Sequence, residues 1–309
     1  MARSDRLIDA FSPRCKVFIK SVLQSVGTVL SPQLMGNPHL AGKLYPYGGN
    51  VNGYVITHKD NYQIETDECG LPIPPRGLRT GGMDTELFLT SGREDVERML
   101  AVLKQSNFSL EQGMRILEFG CASGRLLRWL FDVAATCEVW GVDISAEHIV
   151  WCQKHLSPPF KFVTTTTHPH LPFEDRSFDF IYAGSVFTHI DDLADGWFLE
   201  LRRILKIEGL LYVTVHDTTS LDIMRDRLAA HDPWARMVLQ SQQFQAFEES
   251  DAGMFTVGRS VYSHVFYNTN YLVQHLGGFF EVLSVTNEAF RGFQTGILLQ
   301  KCADKQPVG

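Results

Sequence analysis

The chain has 309 residues, of which 44% are hydrophobic and 20% charged, and its formal net charge is -7. This composition is typical of a globular protein with a sizeable core, and an acidic chain without a Lys/Arg-rich run argues against nucleic acid as a partner. The six cysteines form no CxxC pair or other metal-ligand spacing, so the sequence predicts a reduced cytoplasmic protein without a metal site.

Apolar and basic residues are mixed through residues 5–30. The apolar run is interrupted by lysine, glutamine and glycine, is too short to span a bilayer, and is not followed by a signal-peptide cleavage pattern. The pattern favours an amphipathic helix packed on the rest of the protein. A contact with a membrane surface or with a second subunit is the alternative interpretation.

Residues 1–92 as a whole are interpreted as an N-terminal extension that caps the following domain. Glycine, proline, asparagine and tyrosine are frequent from residue 31 to residue 92, which indicates turns and extended backbone. Prolines at 72, 74 and 75 exclude a helix there. Four tyrosines (Tyr45, Tyr47, Tyr54 and Tyr62) are placed to line a lid over a binding site, but a segment that only covers the core fits equally well.

A helical stripe from Arg93 to Asn107 leads into the central stretch of the chain, Arg115 to Leu130. This stretch predicts a strand, a turn of small residues from Gly120 to Gly124, and a helix. Small residues let the backbone approach a ligand closely. Glu118, at the end of the strand, can accept hydrogen bonds from an ammonium group or from hydroxyls, whereas it would repel a phosphate.

Strands and helices then alternate, with strands predicted over residues 137–143, 160–163, 178–185 and 209–216 and a helix capped by Ser145. Such alternation indicates a parallel sheet with helices on both faces and a ligand at the carboxyl ends of the strands. Asp143 lies at one of these ends, about 20 residues after the glycine turn, where an acidic side chain can bind a ribose diol.

Several segments together resemble the class I S-adenosylmethionine-dependent methyltransferases, in the branch that acts mostly on small molecules. They are the run Glu118-x-Gly120-x-Ala122-x-Gly124, Asp143, and the segments LPFEDRSFDFIYAGSVFTHI and WFLELRRILKIEGLLYVTV. The resemblance covers residues 93–303, and the dinucleotide fingerprint G-x-G-x-x-G is absent. It implies an α/β fold with a Rossmann-like, doubly wound, seven-stranded sheet whose last strand is antiparallel.

The resemblance also implies S-adenosylmethionine as the cofactor and a role for each matching residue. The turn would carry the methionine part, Glu118 its amino end and Asp143 the ribose, while Ile144 would contact the adenine. Gly184 and Ser185 would lie near the transferable methyl group. The implied cofactor-binding residues are Glu118, Gly120, Cys121, Ala122, Gly124, Asp143, Ile144, Thr166, Gly184 and Ser185.

This chain departs from the family pattern at two of these places. Ala122 replaces the usual middle glycine, which predicts a negative φ at that residue. The loop TTTTHPH lacks the acid that many members use for the adenine amino group, so Thr166, Thr167 or a backbone carbonyl would serve instead.

Residues 217–267 form a long insertion after the fifth strand, where this family places variable substrate-binding segments. Its sequence predicts helices followed by a hairpin that turns near Gly258, with Tyr262, His264 and Phe266 on one face. After it, Asn268 or Thr269 is expected to cap a helix, and two further strands complete the sheet.

Transfer of a methyl group requires alignment of the acceptor in a dry pocket, and a hydroxyl acceptor also requires a base, for which His189, His216 and His264 are candidates. Each histidine also has a purely structural interpretation. The sequence therefore predicts methyl transfer to a small organic acceptor, most naturally to a hydroxyl oxygen. Nitrogen acceptors, saccharides or carrier-bound intermediates are alternatives, and a non-catalytic cofactor-binding scaffold is the alternative from another class.

Overall fold

The computed structural model describes residues 64–258 and 263–303. The predicted amphipathic helix of residues 5–30, the four tyrosines assigned to a lid and Tyr262 lie outside the described residues. In the part of the chain that is described, no helix combines the length and the apolar character that crossing a membrane requires.

The described residues form nine strands and seven α-helices. The strands are β1 (Arg115–Phe119), β2 (Glu138–Asp143), β3 (Lys161–Thr164), β4 (Phe178–Ala183), β5 (Leu205–Asp217), β6 (Met254–Val257), β7 (His264–Tyr267), β8 (Glu281–Phe290) and β9 (Gln294–Gln300). The helices are α1 (Thr85–Gln105), α2 (Ala146–His155), α3 (Ala194–Ile204), α4 (Thr218–Ile223), α5 (Pro233–Leu239), α6 (Gln242–Glu248) and α7 (Thr269–Leu276).

The strand order confirms the predicted doubly wound fold. Strands β3, β2, β1, β4 and β5 are adjacent in that order and all parallel, while β9 runs antiparallel between β5 and β8. These seven strands are the predicted set, with the last one antiparallel. The sheet has nine strands because the hairpin of β6 and β7 in the insertion also joins it, through His216 and Asp217 at the end of β5.

Helices cover both faces of the sheet. On one face α1 and α2 pack through residues such as Val96, Met99 and Trp151, and on the other α3 and α7 pack through residues such as Phe198 and Leu272. Burial of this apolar surface, at roughly 25 cal/mol per Å², is the main force that holds the helices on the sheet. The insertion has an apolar cluster of its own, formed by α4 to α6 and the hairpin.

Two predicted helix caps are present in the structure, and one helix begins earlier than the sequence predicted. Ser145 and Asn268 cap α2 and α7 as predicted. However, α1 begins at Thr85 rather than near Arg93, because the Asp84 carboxylate accepts a hydrogen bond of 2.8 Å from the Leu87 N–H. A domain boundary at residue 92 therefore falls inside a helix.

The prediction of a helix after the glycine turn is wrong for an α-helix. Two short 3₁₀ segments, Leu127–Leu130 and Val133–Ala135, take its place. The fully buried Arg128 guanidinium donates from Nε to Gly124 O at 3.2 Å, and the same carbonyl accepts a long bond of 3.4 Å from the Arg128 N–H. Its other nitrogens bind Asp67 Oδ2 at 2.9 Å and Pro72 O at 2.7 Å. This residue therefore ties the segment before α1 to the turn.

Candidate functional site

The glycine turn lies at the carboxyl edge of the sheet, between β1 and β2. Gly120 and Gly124 have positive φ values of 81° and 78°, and the N–H groups of Gly120 and Cys121 donate to Val142 O at 2.8 and 3.0 Å. A Cβ atom at Gly120 would collide with the Val186 side chain. Replacing Gly120 by arginine would therefore disturb the packing around Val186 as well as the binding of a ligand. This variant cannot test ligand binding alone.

The expectation of a negative φ at Ala122 is wrong, because its φ is 44°. The reason lies in the hydrogen bonds of the turn. The Ala122 N–H donates to Asp143 Oδ2 at 2.8 Å, and its carbonyl faces the Cys152 thiol at 3.5 Å. Holding a non-glycine residue in the left-handed region costs roughly 1–2 kcal/mol, so this turn carries strain that the surrounding contacts maintain.

Glu118 lies at the end of β1 and is 2% exposed. Burial raises the pKa of its carboxyl to about 8, although the Tyr182 hydroxyl, which donates to Oε2 at 3.1 Å, and the nearby Arg125 both act in the opposite direction. Arg125 is itself paired with Asp95 at 2.8 Å. At neutral pH the carboxyl is therefore mostly protonated in the ligand-free protein, and a neighbouring cation would ionise it.

Asp143 lies at the end of β2. Its two carboxylate oxygens accept from the N–H groups of Ala122 and Ser145, each at 2.8 Å, which fixes the side chain while each oxygen retains a further lone pair. Next to it, Ile144 is 55% exposed, so it offers an apolar surface at this edge of the sheet. Thr166 is also exposed, and its hydroxyl accepts from the His168 N–H at 3.3 Å.

Gly184 and Ser185 follow β4, and Ser185 has a positive φ of 59°. Its N–H donates to Thr214 Oγ1 at 2.7 Å, and its hydroxyl accepts from Gln294 Nε2 at 2.9 Å. Gln294 in turn accepts from the Thr214 hydroxyl at 2.8 Å. These three residues form a closed ring of hydrogen bonds, which includes the Ser185 backbone N–H and holds the Ser185 hydroxyl in place.

Sequence reasoning missed Gln294. It is the first residue of β9 and is buried at the edge where the parallel strands end. The antiparallel direction of β9 is what brings its first residue to that edge. A polar residue just before the apolar residues of the terminal strand was the signal in the sequence.

The structure brings the three candidate histidines close together. The centroids of the His189 and His264 rings are 5.5 Å apart, and the Trp234 ring lies between His264 and His216, at 5.2 and 5.6 Å. His216 is 3% exposed, and its Nε2 lies 3.4 Å from Gln294 Nε2. Burial lowers the pKa of His216 to about 3, so this ring is neutral at physiological pH and is a weak base.

His189 differs from the other two histidines because one of its ring nitrogens is anchored. Its Nδ1 lies 2.7 Å from Ser263 O, and only a protonated Nδ1 can make that bond, so Nε2 carries the lone pair. Ser263 immediately precedes β7, so the insertion orients the ring. Burial also lowers the pKa of His264.

The residues present fit the cofactor that the sequence implies. Four features follow one another along one edge of the sheet. They are a buried carboxyl that a cation would ionise, a turn without room for side chains, a fixed carboxylate and an exposed isoleucine. Cys121 is buried, its thiol packs where Gly141 leaves space, and burial raises its pKa, so it is a space-filling residue rather than a nucleophile. Among the described residues, no group of three or more metal-ligating side chains is placed to hold a metal.

Residues 117–213 match the family model described as "Methyltransferase domain". A sterol 24-C-methyltransferase of Gibberella zeae is 30% identical over 133 residues, which cover 40% of this chain and 34% of that protein. A demethylmenaquinone methyltransferase of Chlorobaculum tepidum is 28% identical over 127 residues, covering 41% and 51%. A solved S-adenosylmethionine-dependent methyltransferase of Aquifex aeolicus has a TM-score of 0.48 and 19% identity, covering 74% and 99%.

The aligned part spans between about a third and a half of the length of these curated relatives. The family match covers β1 to β5 and contains the glycine turn, Asp143 and Ser185. The strand order, with its antiparallel last strand, is the one that the family resemblance implied. Residues 117–213 thus match a methyltransferase domain, within a sheet whose strand order is that expected of the class I S-adenosylmethionine-dependent type.

Proposed function

We propose that this protein transfers the methyl group of S-adenosylmethionine to a hydroxyl oxygen of a small organic acceptor. The observation that carries the proposal is the combination, at one sheet edge, of the ligand-accepting turn and a histidine whose Nδ1 is anchored. Bound S-adenosylmethionine would supply an electrophilic methyl group. Everything else in the reaction is alignment, exclusion of water and removal of one proton.

The cofactor would lie along the carboxyl edge from Glu118 to Asp143. Glu118 would accept hydrogen bonds from the ammonium end and become ionised, and the turn would contact the methionine backbone. Asp143 has lone pairs left for the ribose hydroxyls, and Ile144 offers an apolar surface to the adenine, with Thr166 beside it. Gly184 and Ser185 would lie by the methyl group, where the hydrogen bonds from Gln294 keep the serine hydroxyl turned inward.

His189 is the best candidate for the base. Its Nδ1–H is held by Ser263 O, so Nε2 can accept the acceptor's proton. His264 is a neighbour of this ring and is better suited to positioning. His216 contributes little as a base, because a group with a pKa of about 3 is nearly always unprotonated and holds a proton weakly.

The names of the relatives support a small organic acceptor, since one acts on a sterol and the other on demethylmenaquinone. The first name also specifies a carbon atom, so carbon is an acceptor atom that must be tested beside oxygen and nitrogen. A base is still needed if a carbon acceptor loses a proton, and the same histidine would provide it.

Calorimetric titration of the full chain with S-adenosylhomocysteine, followed by transfer of a labelled methyl group to acceptor panels, tests the proposal. We expect micromolar binding, and turnover that His189→Asn lowers at least a hundredfold without changing the affinity for S-adenosylhomocysteine. Absence of binding would overturn the proposal. Binding without transfer to any hydroxyl, amine, carbon or saccharide acceptor would instead indicate a scaffold.

A further inference from the structure

Four rings from separate elements form a row beside the Ser185 hydroxyl. They are His216 at the end of β5, Trp234 in the first turn of α5, His264 at the start of β7 and His189 in the loop after β4. Neighbouring ring centroids are 5.6, 5.2 and 5.5 Å apart. Two of the four rings come from the insertion, so this segment builds part of the row. The aromatic row, as defined by these four residues, does not take part in the cofactor contacts described above.

Phe293 extends the aromatic row from the turn between β8 and β9. Its ring stacks on His216 at 5.4 Å and meets Trp234 edge-on at 6.0 Å. Phe266 covers the other face of His216 at 4.9 Å. Three of these rings are only half-buried, namely Phe293, Trp234 and His264. A ligand can therefore contact the row at these three rings. Flat surfaces of this kind favour a planar ligand, by stacking.

Two nitrogen atoms of the aromatic row are shielded from water and have no hydrogen-bond partner among the described residues: Trp234 Nε1 and His264 Nδ1. Leaving a buried polar group unpaired costs about 1–3 kcal/mol, and buried polar groups are rarely left so. An indole N–H can only donate. A ligand that enters the row would therefore be favoured if it brings an oxygen acceptor to Trp234.

The charge near the aromatic row also favours an electron-rich ligand. Arg291, next to Phe290 in the β8–β9 turn, forms no ion pair within the described ranges, and its guanidinium has only the Met83 sulfur as a partner, at 3.8 Å. Its positive charge is among the causes that lower the pKa of His216. This positive charge would help to stabilise a partly or fully negative oxygen of a ligand.

The acidity of the acceptor hydroxyl also limits the class of acceptor. The pKa of a phenol is about 10, whereas that of a hydroxyl that resembles water is far higher. A conjugated hydroxyl group therefore gives up its proton to a side-chain base far more readily than an alkyl alcohol or a sugar does.

We propose that the aromatic row is the acceptor site and that it takes a planar phenol or enol whose oxygen is methylated. The inference rests on the proposed function. His189 Nε2 takes the hydroxyl proton, and the oxygen electron pair forms the new bond to the methyl carbon. The bond from that carbon to sulfur breaks with its electron pair left on sulfur, so the products are a methyl ether and S-adenosylhomocysteine. The proton then leaves His189 for solvent.

Two matched probes test the acceptor class, 2-naphthol and its saturated, non-planar analogue decahydro-2-naphthol. Their dissociation constants are measured by ligand-observed NMR on the full chain saturated with S-adenosylhomocysteine. We expect 2-naphthol to bind at least tenfold more tightly than the saturated alcohol. Trp234→Phe, which keeps an aromatic ring and removes the N–H donor, should weaken 2-naphthol about fivefold, the cost of one hydrogen bond.

Trp129→Phe is the matched control, because Trp129 Nε1 is equally shielded and unpaired but lies against Gly92, away from the row. It should leave both probes unchanged. The affinity for S-adenosylhomocysteine, measured on every variant, separates the two proposals. If S-adenosylhomocysteine does not bind to the wild-type protein, the proposed function fails. If S-adenosylhomocysteine binds but 2-naphthol does not, the proposed acceptor site is refuted. It is also refuted if the two probes bind equally, or if the two tryptophan variants have the same effect on the binding of 2-naphthol.

Discussion

The buried Glu118 carboxyl should make cofactor binding depend on pH. Because burial raises its pKa to about 8, a one-unit gap means that at pH 7 about nine tenths of ligand-free molecules carry this proton. An ammonium group bound beside the carboxyl favours the ionised form. The proton must then leave when the ligand binds, which couples affinity to pH.

The size of the effect follows from that pKa. If the bound form is ionised throughout, the affinity for S-adenosylhomocysteine rises roughly fiftyfold from pH 6 to pH 8 and then levels off. At pH 7 about 0.9 proton is released per ligand bound. Calorimetric titrations in buffers of different ionisation enthalpy measure this number directly, because each released proton adds the buffer's heat of protonation.

The stability of the ligand-free protein should change in the opposite direction. The pKa of Glu118 in the folded state lies above its unfolded value, so the folded state binds the extra proton between the two values. Its contribution to the free energy of unfolding is complete below about pH 4.5 and is lost as the pH rises through about 8. Rising pH should therefore weaken the free protein's fold while it strengthens ligand binding.

Glu118→Gln is the control for the binding experiment, because its amide carries no titrating proton. Its affinity should be nearly constant from pH 6 to pH 8, and titration of the ligand's own groups would appear in both proteins and cancel. Tyr182→Phe removes the hydroxyl that favours ionisation, so it should move the midpoint to higher pH. This reasoning would be refuted if the affinity for S-adenosylhomocysteine changed equally with pH in the wild type and in Glu118→Gln. It would also be refuted if the measured heat of binding did not depend on the buffer.

Further predictions concern the strained turn, the base and the buried ion pair. Ala122→Gly should raise the unfolding free energy by about 0.5–1 kcal/mol, seen as a higher melting temperature, because glycine tolerates a φ of 44°; the exposed helical control Ala101→Gly should lower it by about 1 kcal/mol. His189→Asn should lower the turnover number at least a hundredfold, whereas His216→Asn should lower it far less; the reverse result would contradict the assignment of the base. Arg128→Met should cost about 3–5 kcal/mol in urea unfolding, because it leaves a buried carboxylate unpaired, and a loss below 1 kcal/mol would show that the pair contributes little.

Local patterns in the sequence predicted the frame of this protein. Apolar runs of strand length, most of them separated by helical stripes, predicted β1 to β5 and their parallel direction, and small residues after β1 predicted the turn. Ser145 and Asn268 predicted where α2 and α7 begin, because a helix cap depends only on residues a few positions away in the sequence. These features depend on neighbours in sequence, so they could be recognised without the fold.

The candidate site depends on contacts between distant residues, which no local pattern carries. The φ of Ala122 is set by hydrogen bonds to β2, and the pKa of His216 by rings from α5, β7 and the β8–β9 turn. Gln294 acts on Ser185 across 109 positions of the chain, because β9 returns antiparallel to the edge where β4 ends. Burial, charge and orientation are properties of the assembled surroundings. The sequence by itself therefore determined the strands, their alternation with helices and the acids at their ends, while only the tertiary structure decided which side chain can act as a base.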